Sequence, residues 1–495
     1  MTPGRRDKLV LAALLALAAT LRLINLPGRG EWDDDQGTEM LAMLLWVRDG
    51  QIPLLGPISS TLTVHHGAGF YWMLAPAAFL TDAHPVAAVA TMTVLGIAGV
   101  AAVWWLGATV GGPLAGHLAA LLMAVSPSAI TTSTFLWNAN IVAPGAALAT
   151  AAAWHAWRTR RARWWLLSAL GAVVMLSGHL LAAVAVGPFA ALMITDVVRR
   201  DRSQRLRMLV PVMAATAITA TGFLSTLLYE LSEVTDFFSA DHPAGPAMLI
   251  RLRTIGVRVL AWPLTGYAEK ATVRAWAAAL LALLALTVTC SVGRGLARQF
   301  GWWAIVTTLW AVVALSVIAP TLATPFVGLP TDQYHTWLDP MLFAIMGVAG
   351  ARLWAMRAAL AVRSTGVAFV GGCVALTVAS LPPLASADGG WPQAVDTALR
   401  IRSVTGIHSI AVTGVEKSGA AIEFPLRRQH ASIAPPSTAE FLIVTCDPLF
   451  FSRSVLTCGG LAEAARAREV GFPTARVVDR FADGPRRVVS LFASH

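Results

Sequence analysis

Charge is scarce in this sequence. Asp, Glu, Lys and Arg together make up 13% of its 495 residues, about half the share of an ordinary soluble domain. With 56% hydrophobic residues and a mean hydropathy of +0.64, a soluble multidomain protein is excluded. Cysteine is scarce too. Four residues cannot make a disulfide framework for a chain this long. Cys290 and Cys373 lie in apolar runs and read as packed core. Cys446 and Cys458 lie in a polar tail and are able to pair if that tail is extracytoplasmic. No G-x-x-x-x-G-K-[ST] stretch occurs, so nothing indicates a nucleotide-powered machine. Short alternating strands, the mark of a transmembrane β-barrel, are also missing.

What the chain does have is a succession of continuous Ala- and Leu-rich runs. This predicts an all-α polytopic membrane protein. The net charge of +10 does not indicate a nucleic-acid partner, because the basic residues cluster between apolar runs. Such clusters report topology: "RTRRAR" (158–163), "RRDRSQRLR" (199–207), Arg294 to Arg298 and Arg352 to Arg357 are assigned to the cytoplasm. The opening "MTPGRRDKLVLAALLALAATLRLINL" has signal-peptide character but no A-x-A site, and reads as an uncleaved first helix with a cytoplasmic N-terminus.

Together these rules predict about 11 transmembrane helices, near 8–26, 86–109, 114–127, 141–157, 164–178, 180–197, 208–228, 275–293, 302–320, 336–353 and 364–382. The expected transmembrane domain is 1–382, with outer-face loops 27–85, 126–140, 229–274 and 321–335. Within the first loop, "HHGAGFYWMLAPAAFL" is short for a span and is expected to be interfacial or re-entrant. In the third, "MLIRLRTIGVRVL" reads as a basic amphipathic helix lying on the membrane. From 383 to 495 hydropathy drops, and "SIAVTG", "FLIVTC" and "RRVVSLFA" read as strands beside the helical "LAEAARARE". That predicts a small C-terminal extracytoplasmic α/β domain.

Three consecutive aspartates, Asp33, Asp34 and Asp35, follow the first span in "GEWDDDQ". One reading is a solvated loop in which Asp35 caps a helix running to about Arg48. The other is an acid–base or metal-binding group, since a carboxylate among carboxylates can have a raised pKa suited to a general base. His65, His66, His179 and His335 suit phosphate or a divalent metal, although their spacing matches no zinc motif. Arg253 and Arg258, on the amphipathic segment, are candidate phosphate ligands. Arg22, near the outer end of the first helix, is a further candidate substrate ligand for that phosphate, because an arginine there needs a partner.

The run from "DDDQGTEMLAMLLWVRDGQIPLLGP" to "TVHHGAGFYWMLAP" resembles the first outer loop of membrane glycosyltransferases of the C-type fold (GT-C). It is most similar to bacterial relatives of protein O-mannosyltransferases and to the transferase that places aminoarabinose on lipid A. Those enzymes carry Asp, usually followed by Glu, after the first span, and later a "-PPLYYW-" type segment. Here Asp35-Gln36 takes the first position and "HHGAGFYW", with Tyr71-Trp72, takes the second. Gln36 and His65-His66-Gly67 depart from the common pattern. "SPSAITTSTFLWNANIVAP" resembles a later loop of the same enzymes and brings in Asn138 and Asn140, amides that bind but do not titrate. The resemblance covers roughly 1–355 and is strongest over 20–80.

What the resemblance implies is transfer of a sugar from a polyprenyl-phosphate donor to a lipid, glycan or protein acceptor on the outer face of the cytoplasmic membrane. Asp35, with Asp34 as the fallback, would deprotonate or orient the acceptor hydroxyl, leaving Asp33 as solvated loop. The hydroxyl attacks the anomeric carbon with inversion, and the lipid phosphate leaves. Basic side chains, histidines or a divalent metal would steady that phosphate. A lipid-linked-sugar flippase would place ionisable residues mid-membrane, and a non-catalytic relative in envelope assembly would keep the Asp35 loop without turnover.

Overall fold

A computed structural model describes residues 4–494, apart from 59–63, 230–245, 267–272, 324–332, 357–359, 449–456 and 473–475 and scattered positions between 203 and 227. Scattered positions of the expected span 208–228, both flanks of the third loop (230–245 and 267–272) and the centre of the fourth (324–332) therefore lie outside the described residues.

The first part is a helical bundle. Helix α1 spans Arg5–Leu23, α2 spans Asp34–Asp49, α3 spans Gly69–Thr81, α4 spans Pro85–Gly111 and α5 spans Pro113–Val125. They are followed by α6 (Val142–Thr159), α7 (Arg163–Gly178), α8 (Val186–Val198), α9 (Met248–Thr265), α10 (Val273–Ser291), α11 (Leu296–Ile318), α12 (Asp339–Ala355) and α13 (Leu360–Ala379). Among the described residues, five helical segments can cross a membrane by length and composition: Pro85–Gly111, Leu180–Val198, Val273–Ser291, Leu296–Ile318 and His335–Ala355. Gly69–Thr81, Pro113–Val125, Arg163–Gly178 and Ser364–Ala379 are shorter apolar helices.

Small residues set the helix spacing. A Cβ on Gly145 would lie 2.6 Å from the Met175 amide nitrogen, and one on Gly171 would lie 2.5 Å from that of Ala149. Helices α6 and α7 therefore meet backbone to backbone, as small residues permit inside a bilayer. Helix α12 lies at the centre, buried along nearly its whole length. Helix α9 changes character along its length: Met248, Leu249 and Ile250 are exposed, whereas Val259 to Leu264, beyond most of the amphipathic segment, are buried in a helix that packs on α10 and α11.

The C-terminal part is a four-stranded sheet in the order β1-β2-β4-β3, with β1 Ile410–Val415, β2 Phe441–Cys446, β3 Arg476–Asp483 and β4 Arg487–Ala493. Strands β1 and β2 pair in parallel, and the other pairs are antiparallel. Helices α14 (Gly390–Thr405), α15 (Gly419–Arg428) and α16 (Leu461–Glu469) complete it. Cys446 and Cys458 are joined in a disulfide.

The two parts are tightly docked through α2 and α15. Trp32 packs edge-on against Trp391 at 4.7 Å and tilts against Phe424 at 5.6 Å, while its indole N–H donates to the Ala421 carbonyl at 2.8 Å. Burying such an aromatic side chain is worth about 2–3 kcal/mol. At Gly37 the approach is closer still: a Cβ there would sit 2.2 Å from the Ala420 carbonyl oxygen.

Candidate functional site

The acidic run begins α2, and each of its carboxyls has a different fate. Asp33, not Asp35, is the N-cap: its Oδ1 accepts the Asp34 amide at 2.7 Å, and the Gln36 Oε1 accepts the Asp33 amide at 2.9 Å. The expectation that Asp33 is solvated loop is therefore corrected. It is buried, and its Oδ2 lies 2.9 Å from Arg486, whose Nε lies 2.9 Å from Asp447. Gln36 uses its other atom to donate to the Leu136 carbonyl at 2.8 Å. A glutamate could not make that bond while ionised, which gives a physical reason for the amide at this position.

Asp34 faces the C-terminal part, where its Oδ1 accepts the Ala420 amide at 2.9 Å near the start of α15. Burial raises its pKa, and the bonds from the Ala420 and Ser418 amides oppose that rise. This is a docking contact at a helix N-terminus. Asp35 is the carboxylate left accessible. It is 48% exposed, and Lys417 Nζ stands 3.5 Å from its Oδ1.

One helical turn further, on the same face as Asp35, lies Glu39. Sequence reading overlooked it, although its signal is present: an acid at i+4 in an otherwise apolar stretch. Glu39 is 2% exposed and its Oε2 has no hydrogen-bond partner. Burial holds its pKa well above the usual carboxylate range. The Asp35 charge adds to that rise, and the Asn138 backbone amide opposes it. Tyr71, buried on α3, lies within electrostatic reach of both acids.

The loop whose Asn138 amide reaches Glu39 is tied to a second loop. Asn138 donates through Nδ2 to the Gly178 carbonyl at 2.7 Å, tying its loop to the end of α7. Asn140 donates to Phe135 at 2.8 Å and leaves its Oδ1 without a partner. Gly178 precedes His179, whose ring lies 4.5 Å from that of His66. The Leu180 amide donates to His66 Nδ1 at 3.3 Å and the Leu181 amide to His179 Nδ1 at 3.1 Å. A neutral ring accepting at Nδ1 carries its proton on Nε2, which places the proton of each ring on that nitrogen. Burial first, and His65 second, pushes His66 down to about 4; burial and His66 hold His179 well below the ordinary value. His65 sits outside this pair, edge-on to Tyr229 at 5.0 Å.

The remaining candidates go elsewhere. Arg22 is absorbed by the bundle, donating to the carbonyls of Ala18 at 3.1 Å, Ala124 at 3.0 Å and Met123 at 3.3 Å and to the Ser133 hydroxyl at 3.3 Å. Its role as a substrate ligand is corrected to a structural one: the partner it needed is backbone. Arg253 stacks over the Trp276 ring at 5.5 Å. Arg258 is buried, donating to the Leu322 carbonyl at 2.7 Å, and it acts electrostatically on His335, whose ring stands edge-on to Trp262 at 5.5 Å. Those residues gather around the 3-10 turn Gln333–Leu338, which packs on Asn138–Ile141 and so borders the Asn138 loop.

A metal finds no ready cage among the described residues. The cluster with ligand-like spacing there is Cys446, Cys458 and Glu463. Its cysteines are disulfide-bonded, and Glu463 accepts the Gly459 and Gly460 amides at 2.7 Å each.

By sequence alone no family model and no curated protein matches the chain. Its three-dimensional structure does match solved ones. ArnT from Cupriavidus metallidurans in the apo state shares 15% identity over 97% of each chain with a TM-score of 0.60, and the same protein bound to undecaprenyl phosphate gives 0.59 over the same shares. The apo oligosaccharyltransferase of Archaeoglobus fulgidus shares 11% identity over 88% of this chain and 65% of its own, with a TM-score of 0.50. The chain has the GT-C fold, the fold of these membrane glycosyltransferases.

Proposed function

We propose that this protein is an integral membrane glycosyltransferase that moves a sugar from a polyprenyl-phosphate donor to an acceptor hydroxyl on the outer face of the cytoplasmic membrane. The observation that carries the reading is the structural match over 97% of both chains to ArnT, one structure of which holds undecaprenyl phosphate. The site chemistry is consistent with it. Asp35 is an accessible carboxylate at the start of a helix that also presents Glu39, in the neighbourhood of Tyr71 and Asn138.

In this reading an Asp35 carboxylate oxygen takes the acceptor hydroxyl proton. The acceptor oxygen attacks the anomeric carbon from the face opposite the phosphate, the carbon–oxygen bond to the phosphate breaks, and the polyprenyl phosphate departs with the bonding electrons. His66 and His179, each with an Nε2–H, are assigned to the leaving phosphate; preorganised donors of this kind contribute about 3–4 kcal/mol each to such steps. No step is routed through a metal.

The test is transfer of radiolabel from a polyprenyl-phosphate sugar in membranes carrying the protein, compared with membranes lacking it. Label appearing in a glycosylated acceptor supports the proposal. Donor crossing the bilayer with its sugar still attached, and no product formed, would identify a flippase instead.

A further inference from the structure

Of the acids near the site, Glu39 has no part in the reaction described above, yet it is the most deeply placed. Its side chain is 2% exposed, it stands one helical turn from Asp35, and Oε2 has no hydrogen-bond partner. Around it the titratable and polar groups are few. Asp35 faces it from its own helix, Tyr71 from α3, and the Asn138 amide from the loop before α6. Lys417, arriving with α15, is directed at Asp35.

We infer that Glu39 is a protonated positioning residue for Asp35: a neutral carboxylic acid fixed between Asp35, Tyr71 and the Asn138 amide, which leaves Asp35 as the single anion on this face of α2. The inference rests on the assignment of Asp35 as base. An isolated buried carboxylate is strongly disfavoured unless paired, and among the described residues Glu39 has no ion-pair partner, the nearby Lys417 being taken by Asp35. Holding the proton has two consequences. Asp35 then has no second negative charge one helical turn away on its own face of the helix. The anionic leaving phosphate also meets one negative charge there instead of two. The sign follows. The working form of Glu39 is the acid, so its contribution is present on the acid side and is lost as pH rises through its raised pKa.

Two measurements test this. The first is the infrared spectrum of the full-length protein in detergent at pH 7, wild type minus Glu39→Gln. Loss of the carbonyl stretch of a protonated carboxylic acid is expected; loss of carboxylate bands instead would overturn the inference. The second is the pH–rate profile of transfer. Glu39→Leu is expected to lower kcat about tenfold or more with KM little changed, as for an interaction that matters in the transition state. Glu39→Gln, neutral at every pH, is expected to recover much of that kcat and to lose the alkaline fall expected of wild type. An alkaline limb identical in wild type and Glu39→Gln would overturn the role. Asp35→Asn run beside them separates the two claims. Full activity in Asp35→Asn defeats the base assignment, whereas an inactive Asp35→Asn with an unchanged Glu39→Gln profile defeats this inference alone.

Discussion

Substituting Gln36 by Glu tests how the acidic loop is built. Gln36 is buried, accepts the Asp33 amide through Oε1 and donates to the Leu136 carbonyl through Nε2. A carboxylate keeps the first bond and loses the second. If it stays ionised, the buried Leu136 carbonyl is left facing a negative oxygen, at a cost of about 1–3 kcal/mol for the unsatisfied acceptor and more for the charge. If it takes up a proton to restore the donor, holding that proton at pH 7 against an ordinary pKa near 4.3 costs about 4 kcal/mol. The cheaper route sets the loss, so Gln36→Glu is destabilised by about 2–4 kcal/mol at pH 7. The introduced carboxyl has a raised pKa in the folded state. Its penalty is therefore smallest below about pH 4 and grows as pH rises through the folded pKa. The assay is thermal unfolding of the detergent-solubilised protein at pH 5 and pH 8, wild type against variant. A melting temperature equal to wild type at pH 8, or a larger deficit at pH 5 than at pH 8, would refute this account of the amide.

Three further outcomes follow from the same geometry. Gly37→Ala places a methyl 2.2 Å from the Ala420 carbonyl oxygen, so α2 and α15 must separate at a cost of about 1–3 kcal/mol; limited proteolysis should release the C-terminal part faster, and an unchanged pattern would contradict that packing. Cys446 and Cys458 close a 12-residue separation, so replacing both by Ser should lower stability by about 2–3 kcal/mol, and reductant should shift wild type but not the double variant. With His66 held to about 4 and His179 well below its usual value by burial, both stay neutral from pH 8 to pH 6; His66→Gln should transfer more slowly, with a profile parallel to wild type over that range, and a rate inflection near pH 6.5 present in wild type alone would contradict the neutral pair.

Much of the bundle was legible because apolar length is a strong signal. The helices Pro85–Gly111, Val273–Ser291 and Leu296–Ile318 fall where continuous Ala- and Leu-rich runs place them. Strands β1, β2 and β4 were legible from short β-branched runs, whereas β3, Arg476–Asp483, is an edge strand with charged and largely exposed residues and carried no such pattern. The site was legible only in part. The DDD run was visible, but the partners that sort its members, Arg486, Ala420 and Lys417, lie more than 380 positions away. No local rule reaches across that distance. Arg22 misled for a related reason: an arginine near a span end attracts a ligand reading, and two of the carbonyls that satisfy it belong to the end of α5, about 100 residues downstream.

The most direct test of the central claim is the turnover of Asp33→Asn, Asp34→Asn and Asp35→Asn, each purified and shown to be folded, with a polyprenyl-phosphate sugar as donor. The account predicts that Asp35→Asn alone loses kcat, by about 100-fold or more, as for removal of a general base. Asp33→Asn and Asp34→Asn should keep kcat close to wild type and melt at lower temperature. Wild-type kcat in Asp35→Asn would contradict it.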